Sequence, residues 1–155
     1  MAEVTVVATE DWHIVALVVD MREADIDEVT AATGGRDLGS IVRASVAASV
    51  GPRTALIDGE VACIFGVAPL GGMLGRTGAP WMLGTHLLDR HPGALMRHCR
   101  RYVADMLALY PRLVNFVDAR NVRSIRWLKR LGFTFHPAAP YGEAGLPFHR
   151  FEMGI

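Results

Sequence analysis

Several features that identify common protein classes are scarce or missing in this sequence. Only two of its 155 residues are cysteines, and neither lies in a metal-binding or redox motif. Cys63 and Cys99 are therefore expected to be free thiols in a reducing compartment. The early apolar run at 14–19 is far shorter than the roughly 20 residues that a membrane span needs. No basic segment with a cleavage site precedes it, so we expect a cytoplasmic protein without a membrane partner.

The sequence also lacks net charge, because 16 basic residues balance 16 acidic residues. This balance argues against a nucleic-acid partner, whose usual electrostatic footprint is a strongly basic surface. The glycine-rich segment 71–78 does not contain the motif of a P-loop. No spacing of histidine, cysteine and carboxylate residues predicts a metal site. Repeats, low-complexity tracts and linkers are missing as well, so the sequence predicts a single domain over residues 1–155.

What the sequence does contain is an alternation of helical and extended patterns. Apolar residues recur every three or four positions in some stretches and are β-branched or alternate with polar residues in others. The predicted helices are 12–19, 29–32, 38–46, a segment from Pro92 to just before Pro111, and 122–131. The predicted strands are 4–8, 54–57, 60–67, 81–85 with a possible extension to Leu88, 113–117, 134–137 and 148–153. This order predicts an α/β fold with about seven strands.

Local signals mark several of the boundaries. Asp25 followed by Glu28 has the spacing of a capping box and predicts that a helix begins there. Asp58-Gly59 between two apolar runs is the strongest hairpin signal in the chain. Residues 69–80 hold four glycines without periodicity, and this pattern predicts a long loop or the tip of a hairpin.

The most informative segment is 115–133, which reads as a short buried strand, a turn, an amphipathic helix and a glycine stop. Asn121 is expected to cap the helix, and Gly132 to end it in the left-handed region. The helix has the pattern N-x-x-S-I-x-W-L-K-R-L-G-F. This pattern resembles the last helix of the GNAT superfamily of N-acetyltransferases, which is usually N-x-x-[AS]-I-x-L-Y-x-K-L-G-F.

Other segments resemble a narrower group. MREAD at 21–25, PWMLGT at 80–85 and YGEAGLPFHRFEM at 141–153 are similar to short GNAT-like proteins of tailed phages, some of which are internal virion proteins. The resemblance implies a GNAT-like mixed, mostly antiparallel central sheet of about seven strands flanked by helices. It also implies a location in the host cytoplasm or in the virion.

The resemblance further implies acetyl-CoA as the cofactor, bound between two splayed parallel strands with its pyrophosphate at the start of the following helix. The superfamily pattern at this turn is [QR]-x-x-G-x-[GA], and the sequence supplies only its first half, Arg90 and Gly93. Leu95 replaces a small residue, and Pro92 has no N–H to donate. Asn121 is the third predicted cofactor-binding residue. Alternatively, Pro92 and Gly93 simply start a helix whose arginines face solvent, and Asn121 only caps the last helix, 122–131.

The acid and base of an acetyl transfer are less well marked. Leu128 lies where many members of the superfamily have the tyrosine that protonates the leaving thiolate. His86 is the preferred candidate for the base, because the pKa of histidine suits proton transfer near neutral pH. Two functions therefore remain open. One is an N-acetyltransferase acting on an unknown amine, and the other is a non-catalytic GNAT-fold phage protein that binds virion or host proteins.

Overall fold

The computed structural model describes residues 2–71 and 75–155. Its strands are β1 Val4–Ala8, β2 Arg53–Ile57, β3 Glu60–Leu70, β4 Thr77–Gly84, β5 Arg112–Asp118, β6 Thr134–Phe135, β7 Ala139–Tyr141 and β8 Leu146–Gly154. Its helices are α1 Asp11–Val19, α2 Glu23–Thr33, α3 Leu38–Ala48, α4 His86–Arg90, α5 Met96–Leu109 and α6 Val122–Leu131. None of the helices in these described ranges is long and apolar enough to cross a membrane.

The strands form one sheet in the order β1-β2-β3-β4-β5-β8-β6, and β7 also pairs with β8. Every neighbouring pair is antiparallel except β4 and β5, which are parallel. The predicted mixed, mostly antiparallel sheet flanked by helices is therefore confirmed, and it has the GNAT fold. The eighth strand is β7, which lies in a Pro/Gly-rich connection whose composition disfavours a strand.

Helices cover both faces of the sheet and bury two separate apolar layers. On one face, α1 and α3 pack on the central strands through a cluster that includes Leu17, Val42 and Ile64. On the other face, α5 and α6 pack on the sheet through clusters that include Leu95 and Leu113. The strands between these layers are buried from both sides, which explains why β3 is a nearly continuous apolar run.

The predicted capping box at Asp25 is wrong. Helix α2 begins at Glu23, with Arg22 as its N-cap residue, so Asp25 and Glu28 lie inside the helix. Asp25 is 1 % exposed and bonds to the side chain of Arg22 and to the backbone of Gly84. The carboxylate of Asp25 therefore does not cap its own helix. It binds the backbone of Gly84, which is 59 positions away in the chain.

Three other predicted boundaries also change. The strand 81–85 does not extend to Leu88, because Thr85 caps the short helix α4 by accepting the N–H of Leu87 at 3.2 Å. Helix α5 begins at Met96, so Pro92 lies in the preceding turn. Strands β3 and β4 reach into the predicted loop 69–80 from both ends. The part of that loop at 72–74 lies outside the described residues.

The hairpin at Asp58-Gly59 and the last helix are confirmed. Asp58 and Gly59 have φ angles of 50° and 82°, as a two-residue hairpin turn requires. Asn121 accepts the N–H of Ser124 at 3.3 Å, and Gly132 ends α6 at φ 103°. The capping residues of α6 could be predicted because they act within one turn of the chain.

Candidate functional site

The parallel strands β4 and β5 separate soon after they meet. They pair only through Thr77 with Arg112 and Gly78 with Leu113, although each strand continues for several residues. Asn115 crosses the start of the gap, and its Nδ2 donates to the carbonyl of Pro80 at 2.7 Å. A cavity of about 310 Å³ passes through the gap and has walls on both faces of the sheet. This volume is at the lower end of the range of small-molecule sites.

The edge of β4 that faces the gap has backbone groups available for a ligand. The carbonyl of Pro80 and the N–H of Gly84 both point away from β3, since Asn115 and Asp25 bind them from the other side. Because backbone groups alternate along a strand, the N–H and carbonyl of Met82 point into the same gap. Met82 lines the cavity, so its backbone can hydrogen-bond an extended amide-containing chain there.

The wide end of the gap is closed by a buried polar cluster centred on Asp25. One oxygen of Asp25 accepts the N–H of Gly84 at 2.9 Å and two N–H groups of Arg22 at 2.9 and 3.0 Å. Its other oxygen accepts Nδ2 of Asn121 at 3.3 Å. Asp25 therefore joins the end of β4 to the start of α6 through hydrogen bonds that are shielded from water.

Glu28 lies one turn further along α2 and has a different environment. Its Oε1 accepts the backbone N–H of Asp118 at 2.8 Å and Nδ2 of Asn121 at 3.3 Å. Unlike Asp25, Glu28 is not paired with a cation among the described residues, and it lines the cavity. Burial, reinforced by the neighbouring carboxylates of Asp25 and Asp118, raises the pKa of Glu28 to about 7. A carboxyl group with this pKa can gain and lose a proton near neutral pH.

The wall of the cavity on the α5–α6 face is mostly apolar. It includes Cys99 and Tyr102 of α5 together with Trp127 and Leu128 of α6. The ring of Tyr102 packs edge-on against Phe65 at 5.1 Å between centroids. Burial raises the pKa of Cys99 to about 12, so this thiol stays protonated at neutral pH and is a poor nucleophile.

The opposite wall depends on the hairpin of β7 and β8. The turn of this hairpin packs on the end of α2, where Glu143 and Ala144 donate their N–H groups to the carbonyls of Ala32 and Ala31 at 3.2 and 3.1 Å. These bonds satisfy carbonyls that the helix terminus leaves open. They also fix Tyr141, whose ring stacks on Phe116 of β5 at 4.0 Å and lines the cavity.

The predicted base His86 is the first residue of α4. Its Nδ1 lies 3.0 Å from the side chain and the backbone carbonyl of Asp20, and its side chain is 45 % exposed. His86 is not among the described residues that line the cavity. The prediction chose His86 for the pKa typical of histidine and for its position just after a predicted strand, and neither feature shows which side chains meet in the fold.

The predicted phosphate-binding residues lie between α4 and α5. Arg90 is the last residue of α4 and is exposed, and Gly93 has φ 84° in the following turn. Leu95 is 2 % exposed and belongs to the apolar core, which explains why it is not a small residue. The neighbouring Asp89 pairs with Arg123 of α6, so this turn is linked to the first turn of the last helix.

Asn121, the remaining predicted cofactor residue, is 3 % exposed and lies at the centre of the polar cluster. Its side chain caps α6 and donates to both Asp25 and Glu28. It is thus brought together with Glu28, a residue that sequence reasoning treated only as part of a cap. The signal that could have found Glu28 is its three-residue spacing from Asp25, which places two carboxylates on one helix face.

No protein-family model and no curated protein sequence matches the chain. Solved structures do match it. A GNAT-family acetyltransferase from Streptococcus pneumoniae is 16% identical, with a TM-score of 0.63, over 99% of this chain and 100% of that one. The yncA protein from Salmonella typhimurium, solved with its cofactor acetyl-CoA, is 15% identical, with a TM-score of 0.67, over 97% and 93%. The aminoglycoside acetyltransferase AAC(6')-Ib, solved with coenzyme A, is 18% identical, with a TM-score of 0.70, over 98% and 95%. At these identities the comparison establishes the fold.

Proposed function

We propose that this protein is an acetyl-CoA-dependent N-acetyltransferase that acetylates a primary amine. The observation that carries the proposal is the cavity that passes between the separated strands β4 and β5, with the carboxyl group of Glu28 at its polar end. Two proteins with the same fold were solved with acetyl-CoA or coenzyme A. Bound acetyl-CoA supplies an acetyl group already activated as a thioester.

The described residues fit such a cofactor. The open backbone groups of Met82 can pair with the amides of its extended arm, as an added strand would. At the start of α5, the N–H groups of Arg97 and His98 donate to no protein acceptor within the described ranges, and a helix N-terminus favours phosphate. Arg90 and Gly93 belong to the turn that leads to this terminus, so both remain our proposed phosphate-binding residues, with Asn121 as the third cofactor residue.

Glu28 is our first choice for the group that removes the proton from the amine. Only a neutral amine has a free electron pair for attack on the acetyl carbon, so a base must accept the proton. Glu28 lines the cavity, and its pKa of about 7 leaves a large fraction ionised at neutral pH. His86 remains the alternative base, and a single substitution of each residue distinguishes them.

The leaving sulfur requires a proton donor other than the tyrosine that is usual in the superfamily. Leu128 lines the cavity at the position where the superfamily resemblance places a tyrosine, and a leucine cannot supply a proton. Tyr102 lies in the same wall of the cavity and carries a hydroxyl group. We therefore assign the role of proton donor to Tyr102. Direct attack by the amine is favoured over a covalent route, since Cys99 stays protonated.

The alternative is a non-catalytic GNAT-fold phage protein that binds virion or host proteins. It is supported by Leu128 in place of the tyrosine, and by Pro92 and Leu95 in the phosphate-binding turn. On this alternative the protein occurs in the host cytoplasm or is packaged into the virion. Detection of the chain in purified virions by mass spectrometry, together with the absence of acetyl-CoA binding, would favour it.

The proposal is tested by titrating the protein with acetyl-CoA and following its thermal unfolding. A ligand at about 100 times its Kd stabilises the native state by roughly 2.7 kcal/mol. We expect a clear rise in Tm for the unmodified chain and a smaller rise for Gly93→Leu and for Asn121→Ala, each compared with its own ligand-free Tm. Gly71→Ala is the control and should keep the full rise, because Gly71 does not line the cavity and an added Cβ meets nothing within 4 Å. No rise at millimolar acetyl-CoA would exclude the proposed function.

A further inference from the structure

On the α1–α3 face of the sheet aromatic rings line the cavity, and we take them as its mouth because one of them, Tyr141, is 38 % exposed. Trp81 points to this face, since its Nε1 donates to the hydroxyl of Ser49 at the end of α3 at 2.7 Å. Phe116 and Tyr141, stacked on each other, form another wall, and Ile41 of α3 contributes an aliphatic side chain. These side chains belong to the wall of the cavity opposite α5 and α6, so they surround the side from which a second substrate can enter.

The charged residues that line the cavity also restrict which acceptor it can bind. Among the described residues that line the cavity there is no arginine, lysine or histidine, and Glu28 is the one carboxylate. Arg150 and His136 line a second cavity of about 290 Å³ that shares Phe116 and Tyr141 with the first. Both already bond Oε2 of Glu152, at 2.9 and 3.0 Å.

We infer that the acceptor is a primary amine carried on a flat apolar ring by a short aliphatic chain, without a carboxylate or phosphate. The inference rests on the proposed function and assigns the class of acceptor at the same site. An ammonium group is attracted both by the carboxylate of Glu28 and by the faces of aromatic rings. A ring attached to it is buried between Trp81 and the Phe116–Tyr141 stack, where the mouth removes apolar surface from water.

The same lining explains what the site rejects. An anionic group next to the amine would lie in a cavity whose only charge is negative, and no described lining residue would neutralise it. Burial of an unpaired charge is strongly unfavourable. A small polar amine without a ring would leave the aromatic walls exposed and would gain little from the mouth.

Three amines of matched chemistry test the inference in steady-state assays of thiol release from acetyl-CoA. 2-Phenylethylamine has the ring and the amine, phenylalanine adds a carboxylate beside the amine, and ethylamine lacks the ring. We expect kcat/KM to be at least about tenfold higher for 2-phenylethylamine than for either of the others, because loss of ring burial or addition of an unpaired charge each costs at least that factor.

Equal or better turnover of phenylalanine or ethylamine would overturn the acceptor class and leave the acetyltransferase function intact. If acetyl-CoA shifts the Tm but none of the amines is acetylated, the assigned acceptor is wrong while cofactor binding stands. Absence of the Tm shift removes both proposals together. The two failures are therefore distinguishable.

Two variants of Tyr141 test whether this residue causes the preference for an amine with an aromatic ring. Tyr141 is 38 % exposed, so replacing it is compatible with folding. Tyr141→Leu should raise KM for 2-phenylethylamine about tenfold more than it raises KM for ethylamine, whereas Tyr141→Phe keeps the stack on Phe116 and should raise KM for 2-phenylethylamine far less. An equal effect of Tyr141→Leu on both amines would show that the ring of the substrate does not contact Tyr141.

Discussion

Replacement of Glu28 by glutamine should separate the activity of this protein from its stability. The glutamine side chain has nearly the same shape and keeps an oxygen that can accept the N–H of Asp118, which lies 2.8 Å from Oε1 in the native chain. It cannot accept a proton from an amine. Loss of a general base typically lowers the rate by about 10²- to 10⁴-fold, so kcat/KM should fall in that range at pH 8.

The stability should change in the opposite direction. The pKa of Glu28 is raised from an ordinary 4.5 to about 7 in the folded chain, mainly by burial. Below pH 4.5 both the folded and the unfolded chain hold the proton, and the residue costs nothing. As the pH rises from 4.5 to 7, the unfolded chain releases the proton first, so the native state is progressively destabilised. Above pH 7 this cost is constant at about 3 kcal/mol, because each unit by which the pKa is raised corresponds to about 1.4 kcal/mol.

Glu28→Gln removes this cost, because glutamine does not ionise. We expect its free energy of unfolding to exceed that of the unmodified chain by up to about 3 kcal/mol at pH 8 and to equal it at pH 4.5. Denaturant unfolding at the two pH values measures the difference. Glu23→Gln is the matched control, since Glu23 is an exposed glutamate on the same helix, and it should change neither quantity.

The pH dependence of the rate completes the test. In the unmodified chain kcat/KM should rise with an apparent pKa near 7 as Glu28 loses its proton, and Glu28→Gln should abolish this step. His86→Gln should leave the step in place. If His86→Gln abolishes it and Glu28→Gln preserves the rate, the assignment of the base to Glu28 is refuted.

Three further changes have defined outcomes. Asp25→Ala leaves the buried guanidinium of Arg22 and the N–H of Gly84 without their shared carboxylate. The free energy of unfolding, measured by chemical denaturation, should therefore fall by about 3 kcal/mol. A fall of less than about 1 kcal/mol would contradict the proposed role of the cluster. Gly142→Ala places a Cβ 2.7 Å from Cα of Ala32 and should lower the Tm clearly more than Gly145→Ala, whose Cβ meets nothing within 4 Å. Leu128→Tyr adds a hydroxyl to the cavity wall and should raise kcat if protonation of the leaving sulfur limits turnover, which stopped-flow measurement of thiol release can check.

The parts of the fold that the sequence predicted depend on local physics. The turn at Asp58-Gly59 and the capping of α6 by Asn121 each act over a few neighbouring residues, and their residue types have few alternative roles. The predicted start of α2 was wrong because the residue that matched a capping pattern has a partner far away in the chain. Asp25 has the spacing of a capping residue, but its carboxylate bonds to Gly84, which only the folded chain brings near.

The site was harder to predict for the same reason. Arg90 and Gly93 could be aligned with a motif, whereas Glu28 gains its chemistry from burial and from N–H groups contributed by β5 and α6. Residue type favours histidine as a base near pH 7. In this chain His86 is exposed beside Asp20, and a glutamate has the pKa that histidine usually provides.

The three connections across the gap between β4 and β5 bear on how tightly the site can bind. The strands are joined directly at Gly78 and Leu113, then by the side chain of Asn115, and at the far end by Asp25 and Asn121. The width of the gap is thus set during folding, before any ligand arrives. A ligand that binds in such a preorganised gap does not have to pay the entropy cost of ordering the protein around it. A small contact area can therefore give a useful affinity.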